Sequence, residues 1–184
     1  DYGAEVIRVE HPNGSVLRRT GGHSLWNRGK RSLAVDLDDP AQRSLVQELA
    51  QDADIVIEDH RPGRAASWGL DHASVARTNP DVVYCSISAY GQDDARRDRL
   101  GADAAVIAHV GLMVEWGGRR EGPIFLGHPA IDYATAFLAS AGTLALLRSR
   151  IVSGRGDFLD VSLLDGALSL YTMNWSAEAG TKSI

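Results

Sequence analysis

The chain has 184 residues, 44% of them hydrophobic and 23% charged, a balance typical of a globular protein with enough apolar material for a sizeable core. With a formal net charge of −5 and no block of Lys and Arg, it lacks the electrostatic footprint of a nucleic-acid binder, so no nucleic-acid partner is expected. No apolar run of membrane-span length and no signal-peptide pattern stands out, and the single cysteine, Cys85, excludes an internal disulfide; a cytoplasmic protein with no membrane partner is expected.

Residues 5–10 set Val6, Ile7 and Val9 among charged residues and predict a strand, which His-Pro-Asn-Gly at 11–14 closes with turn chemistry. The chain opens without Met, and Gly3 reads as the glycine that ends a preceding helix, so a segment of a longer protein is expected. Residues 15–32 carry Arg18, Arg19, Arg28, Lys30 and Arg31 among Gly21, Gly22 and Gly29, with neither helical nor strand periodicity. Two readings stand for this basic segment: a loop that grips phosphates, or a solvated connection.

A second strand is predicted over 32–37, then a helix opened by Asp38-Asp39-Pro40 and running to about Gln51. The Ile-Val-Ile run within 54–58 predicts a buried parallel strand. It leads into Asp59-His60-Arg61-Pro62-Gly63, either an ordinary turn or a ligand loop at the carboxyl edge of an open α/β sheet. A helical stretch at 70–77 and a fourth strand at 82–88, with Cys85 as a buried small hydrophobe, continue the alternation. The predicted class is α/β, a Rossmann-like doubly wound parallel sheet.

Beyond a charged loop at 93–99, residues 101–115 read as one buried helix in which His109 is a satisfied core residue. Residues 133–150 form one Ala- and Leu-rich helix, and Pro129 just before it places Asp132 at its entrance. Asp132 there is either the N-cap or a functional carboxylate projecting where ligands meet α/β folds. A turn at 153–157, a fifth strand at 158–162 and a capping box from Ser162 to Asp165 follow. There is no Walker loop, dinucleotide fingerprint, nucleophile elbow or zinc motif, and no metal is expected.

Six colinear segments remain to be explained together: Gly3-Ala-Glu-Val-Ile-Arg-Val-Glu10, Asn27-Arg-Gly-Lys-Arg-Ser-Leu-Ala-Val-Asp-Leu37, Ile55-Val-Ile-Glu-Asp-His-Arg-Pro-Gly63, Asn79-Pro-Asp-Val-Val-Tyr-Cys-Ser-Ile-Ser-Ala-Tyr-Gly-Gln92, Gly127-His-Pro-Ala-Ile-Asp132 and Ser153-Gly-Arg-Gly-Asp-Phe-Leu-Asp-Val-Ser-Leu-Leu-Asp165. Over nearly the whole chain they resemble the class III CoA-transferases, the family that includes formyl-CoA transferase, carnitine CoA-transferase and α-methylacyl-CoA racemase. The resemblance implies that residues 1–184 are part of the family's large CoA-binding α/β domain, truncated at both ends, with a smaller second domain absent. It also implies an interlocked homodimer for the full-length protein.

The same resemblance implies an aspartate, matching Asp132, that attacks the thioester carbonyl of an acyl-CoA and carries CoA to a small carboxylic acid through a covalent intermediate. An aspartate of ordinary pKa, about 3.9, is ionised near neutrality and needs no general base. Part of the oxyanion environment lies, in the family, on a glycine-rich loop beyond this chain. Coenzyme A, as the acyl-CoA substrate, is implied to contact His11, Leu37, Asp38, Asp59, His60, Arg61, Gly101, Ala102 and Asp103. His11 stands where the family usually has Arg, a weaker and pH-dependent grip on phosphate. Asp59 stands where Asn is common, and it repels phosphate unless it faces the adenine or ribose. In the racemase branch a histidine follows the glycine matching Gly101; here Ala102 cannot shuttle a proton, which favours transferase over racemase. A non-catalytic CoA-binding protein is the third reading.

Overall fold

The structure is a computed structural model that describes residues 3–117 and 120–171. β1 (Ile7–Glu10) pairs in parallel with β2 (Arg31–Ala34), Ile7 opposite Arg31. β3 (Ile55–Glu58), β4 (Val83–Ser88) and β5 (Asp157–Ser162) form a second parallel sheet with β4 in the middle. The expected parallel strands are therefore present, but in two sheets rather than one. β2 and β3, joined through α2 (Pro40–Gln51), do not pair with each other.

Side chains alternate across a strand, and on β4 that alternation separates two cores. Tyr84 packs with Ala50 of α2, with Trp68 just after α3 (Arg64–Ser67) and with Val75 of α4 (His72–Val75). Its neighbour Cys85, fully buried, packs with Val161 of β5 and with Ala139 of α7 (Ala130–Ser153). Helices thus cover both faces of the three-stranded sheet, as a doubly wound α/β fold requires.

α7 begins three residues before and ends three residues after the predicted 133–150, because its two ends are set by backbone stops. Pro129, with φ −78°, precedes the first turn, and Gly154, at φ 69°, closes the last by donating its N–H to the Arg150 carbonyl. By length and apolar composition α7 also suffices to cross a bilayer, a run that the sequence reading overlooked. Here it lies along β4, β5 and α8 (Leu163–Leu170), with Ile131, Thr135, Ala139 and Thr143 buried. Arg150 near its end donates to the Asp54 and Asp81 carbonyls, at 3.3 and 3.1 Å, just before β3 and β4. The end of α7 therefore sits at the amino edge of the sheet, and its start at the carboxyl edge.

Two predicted elements differ in form. The single helix expected over 101–115 is α5 (Asp103–His109) and α6 (Leu112–Glu115), broken where Gly111 takes a left-handed φ of 84°. His109 is not a core residue: it is exposed at the end of α5, with Nε2 2.5 Å from Arg96 Nη1. The basic segment is not irregular throughout, since it holds a 3-10 turn (Val16–Arg19) and α1 (Gly21–Trp26). Two of its arginines are tied to the region of β1, Arg18 to Glu10 and Arg31 to Glu5. Local ion pairing, rather than periodicity, shapes this stretch.

The Glu10 carboxylate is covered, its side chain 6% exposed, and its hydrogen bonds from Arg18 and then Ser32 hold its pKa at about 2 instead of 4.5. A carboxylate with a depressed folded pKa contributes stability above the unfolded value, and loses it as pH falls through the folded value. Glu10→Gln is accordingly expected to flatten the fall in melting temperature between about pH 4.5 and 2, and to lower it modestly at neutral pH. Thermal melts across that range check this, and an acid slope identical to wild type counts against it.

Candidate active site

Asp132 lies at the third residue of α7, not at its cap. The cap position is Pro129, which offers no side-chain acceptor, so the first N–H groups of the helix need an acceptor from elsewhere. Asp103, at the start of α5, supplies it: its Oδ1 accepts from the N–H of Ile131 at 3.0 Å and of Asp132 at 3.2 Å. This overturns the N-cap reading of Asp132. Ile131, fully buried, anchors the same turn among Tyr90, Val106, Ile107, Leu112 and Ala167. Its burial contributes roughly 1.5–3 kcal/mol against roughly 1 kcal/mol for a cap, so packing holds the helix start and Asp103 orients it.

Among the described residues, the Asp132 carboxylate has no hydrogen-bond or ion-pair partner. Partial desolvation, and then the negative charge of Asp103, push its pKa above the ordinary aspartate value. The result is an accessible carboxylate with free lone pairs at the carboxyl edge of the sheet. Its neighbour Tyr133 receives Trp26 of α1 at 5.5 Å and His128 at 5.8 Å between ring centroids. The basic segment therefore docks beside Asp132 through an aromatic contact.

Of the other predicted residues, Gly101, Ala102 and Asp103 reach this place together. A Cβ on Gly101 would stand 2.0 Å from the Ala89 Cβ, so only glycine lets the chain pass the end of β4 and begin α5. Ala102 is the N-cap of α5 and, having no side-chain acceptor, caps nothing.

A second group forms around Trp68. The Asp38 carboxylate accepts from the Trp68 indole N–H at 2.8 Å and from Arg64 Nη2 at 2.8 Å on both oxygens. The indole bond first, then the Arg64 charge, lower the Asp38 pKa. The Arg64 guanidinium lies 4.3 Å over the Trp68 ring, and His60 meets that ring edge-on at 4.9 Å. Leu37 packs, partly buried, against the core beneath. Asp59 and Arg61 are exposed on the same loop. His11 accepts the N–H of Asn13 at its Nδ1, 3.2 Å, with Nε2 3.9 Å from Asp36. No hydrogen bond, ion pair or ring contact among the described residues joins the Trp68 group to Asp132.

Sequence reasoning missed Arg64 and Trp68, although their four-residue spacing after Pro62-Gly63 was a signal that they share a helical face. It also gave no role to Gln92, whose Nε2 donates to Ser86 Oγ at 2.8 Å and whose N–H donates to Asp160 Oδ2 at 2.7 Å. Ser86 in turn donates to Glu58. This chain of hydrogen bonds ties together the carboxyl ends of β3, β4 and β5 below the loops.

The profile of CoA-transferase family III matches residues 1–183. The chain belongs to CoA-transferase family III. It is 34% identical over 182 residues to the succinyl-CoA:glutarate CoA-transferase of Mus musculus, covering 94% of this chain and 42% of that protein. It is 33% identical to the succinyl-CoA–D-citramalate CoA-transferase of Chloroflexus aurantiacus, covering 92% of this chain and 45% of that protein. Among solved structures, a CAIB/BAIF family protein from Brucella suis superposes with a TM-score of 0.86 at 30% identity, over 98% of this chain and 52% of that one. This family III chain thus spans about half the length of the relatives that it matches.

Proposed function

We propose that the full-length protein is a CoA-transferase that moves CoA from an acyl-CoA donor to a carboxylic acid acceptor, with Asp132 as the nucleophile. The observation that carries this reading is the Asp132 carboxylate at the carboxyl edge, without a partner among the described residues and raised in pKa by desolvation and by Asp103. A carboxylate oxygen attacks the thioester carbon, the carbon–sulfur bond breaks, and CoA leaves as its thiolate while a mixed anhydride forms on Asp132. The thiolate then attacks the Asp132 carbonyl of that anhydride, releasing the donor acid and leaving CoA on the enzyme. An acceptor carboxylate attacks this thioester to form a second anhydride, and the expelled thiolate attacks the acceptor-derived carbonyl, forming the new acyl-CoA and releasing the Asp132 carboxylate. No water enters the balance, so the free energy of the thioester is retained.

CoA itself is assigned to the loops at the sheet's carboxyl edge, from His11, Leu37 and Asp38 through Asp59, His60 and Arg61 to Gly101 and Ala102. The named relatives act on succinyl-CoA, and we infer dicarboxylic acids as the substrate class. A homodimer and a second, smaller domain belong to the same reading.

Isotopic exchange tests it. The full-length protein, given succinyl-CoA and labelled succinate or glutarate, is expected to carry label into the thioester pool. Hydrolysis without label transfer sinks the reading. Loss of an α-deuterium from a 2-methylacyl-CoA, with no exchange of acids, favours the racemase instead, for which Ala102 offers no acid/base group.

A further inference from the structure

Asp103 spends one oxygen on the α7 backbone, and its other oxygen, Oδ2, is buried with no hydrogen-bond partner among the described residues. A cap alone does not call for that: Ser accepts a helix N–H as Asp does, without leaving a second buried polar atom unsatisfied. Two carboxylates also share one helix start, and only one of them holds the donors there. Had the Asp132 carboxylate itself been spent on backbone donors at the helix start, its lone pairs would be occupied and its nucleophilicity lowered.

We propose that Asp103 is a positioning residue: by taking the exposed N–H groups of α7 with one oxygen, it fixes the turn that carries Asp132 and leaves the Asp132 carboxylate unbound for attack. This rests on the reading of Asp132 as the nucleophile. Desolvation and the Asp103 charge act in the same direction, keeping the Asp132 anion poorly stabilised and hence more reactive. Among the described residues packed near this turn, Asp165 of α8 is held in its capping box by Ser162, Asp160 of β5 accepts from Gln92, His109 of α5 lies against Arg96, and the His128 ring meets that of Tyr133 at a tilt.

The test uses the full-length protein with Asp103→Ala and Asp103→Asn. Asp103→Ala is expected to lower kcat about a hundredfold with little change in KM for acyl-CoA, the size of effect that a misplaced reacting group produces. Asp103→Asn keeps a cap acceptor and removes the charge. It is expected to recover kcat to within about tenfold of wild type, and to move the acid limb of the kcat profile to lower pH as the Asp132 pKa falls. A rise in KM with kcat intact overturns the proposal in favour of a direct CoA contact. Should Asp103→Ala fail to fold, Asp103→Asn decides alone: a folded variant whose kcat falls far more than about tenfold despite its retained acceptor overturns the proposal, because the charge and not the cap would then matter. Mass spectrometry of CoA held on Asp132 separates the two levels: no adduct in wild type overturns the nucleophile reading and this one with it. An adduct formed by the Asp103 variants at the wild-type rate overturns this one only.

Discussion

Asp132→Ala in the full-length protein is expected to abolish CoA transfer, by more than about a thousandfold in kcat, while its melting temperature stays level or rises slightly. The two parts of this expectation have separate physical origins. In the proposed mechanism the acyl bond forms on the Asp132 carboxylate, so its removal closes the covalent route. Stability follows a different rule, because Asp103 and not Asp132 accepts the free N–H groups of α7. Removing Asp132 therefore leaves the cap in place. A raised folded pKa also means that the Asp132 anion opposes folding: the penalty is absent below the ordinary value of 3.8 and complete above the raised one. Alanine removes that penalty at neutral pH. Turnover with an acyl-CoA donor, measured beside thermal melts, checks both parts. A variant that keeps most of its rate but melts earlier would show that Asp132 is structural and the proposed chemistry wrong.

Gly101→Ala is expected to reduce stability and turnover together, because the added Cβ meets the Ala89 Cβ at 2.0 Å, with the Ala89 Cα at 3.3 Å behind it. Neither atom belongs to a flexible side chain, so backbone must move, at a cost of roughly 1–3 kcal/mol or more. The displaced residues lead directly into Asp103, and Asp103 sets the start of α7. A shift of 101–103 is thus carried to the turn of Ile131 and Asp132 through one hydrogen bond from each. The pair Ala89→Gly with Gly101→Ala transfers the methyl from one side of the contact to the other. It is expected to restore part of the melting temperature and of kcat, an interaction that a double-mutant cycle measures. Additive losses in the double variant would instead mean that Gly101 matters through its ligand or its backbone freedom.

Much of the local structure was legible in the sequence, because it depends on neighbours within a few residues. Asp39-Pro40 opens α2 and Ser162 with Asp165 forms the capping box of α8, from contacts three residues apart or fewer, and the Ile-Val-Ile run marks β3, although Ile57 is 60% exposed instead of buried as expected. The α/β alternation and the place of Asp132 near the start of a long helix follow from the same short-range chemistry, and the six colinear segments pointed to the family. What tertiary structure decided is which groups meet across distance. Asp103 reaches the start of α7 from 28 residues away, and Trp68 binds Asp38 from 30 residues away. Arg18 and Arg31 leave the phosphate-gripping pattern by pairing with Glu10 and Glu5. The break at Gly111 and the division into two sheets have the same origin. A glycine permits a left-handed turn without demanding it, and strand pairing is a choice among partners that periodicity does not distinguish. Short-range hydrogen bonds and side-chain periodicity are written into consecutive residues, whereas the carboxylate that caps a helix from another element is selected only when the chain closes on itself and the apolar cores set both elements side by side.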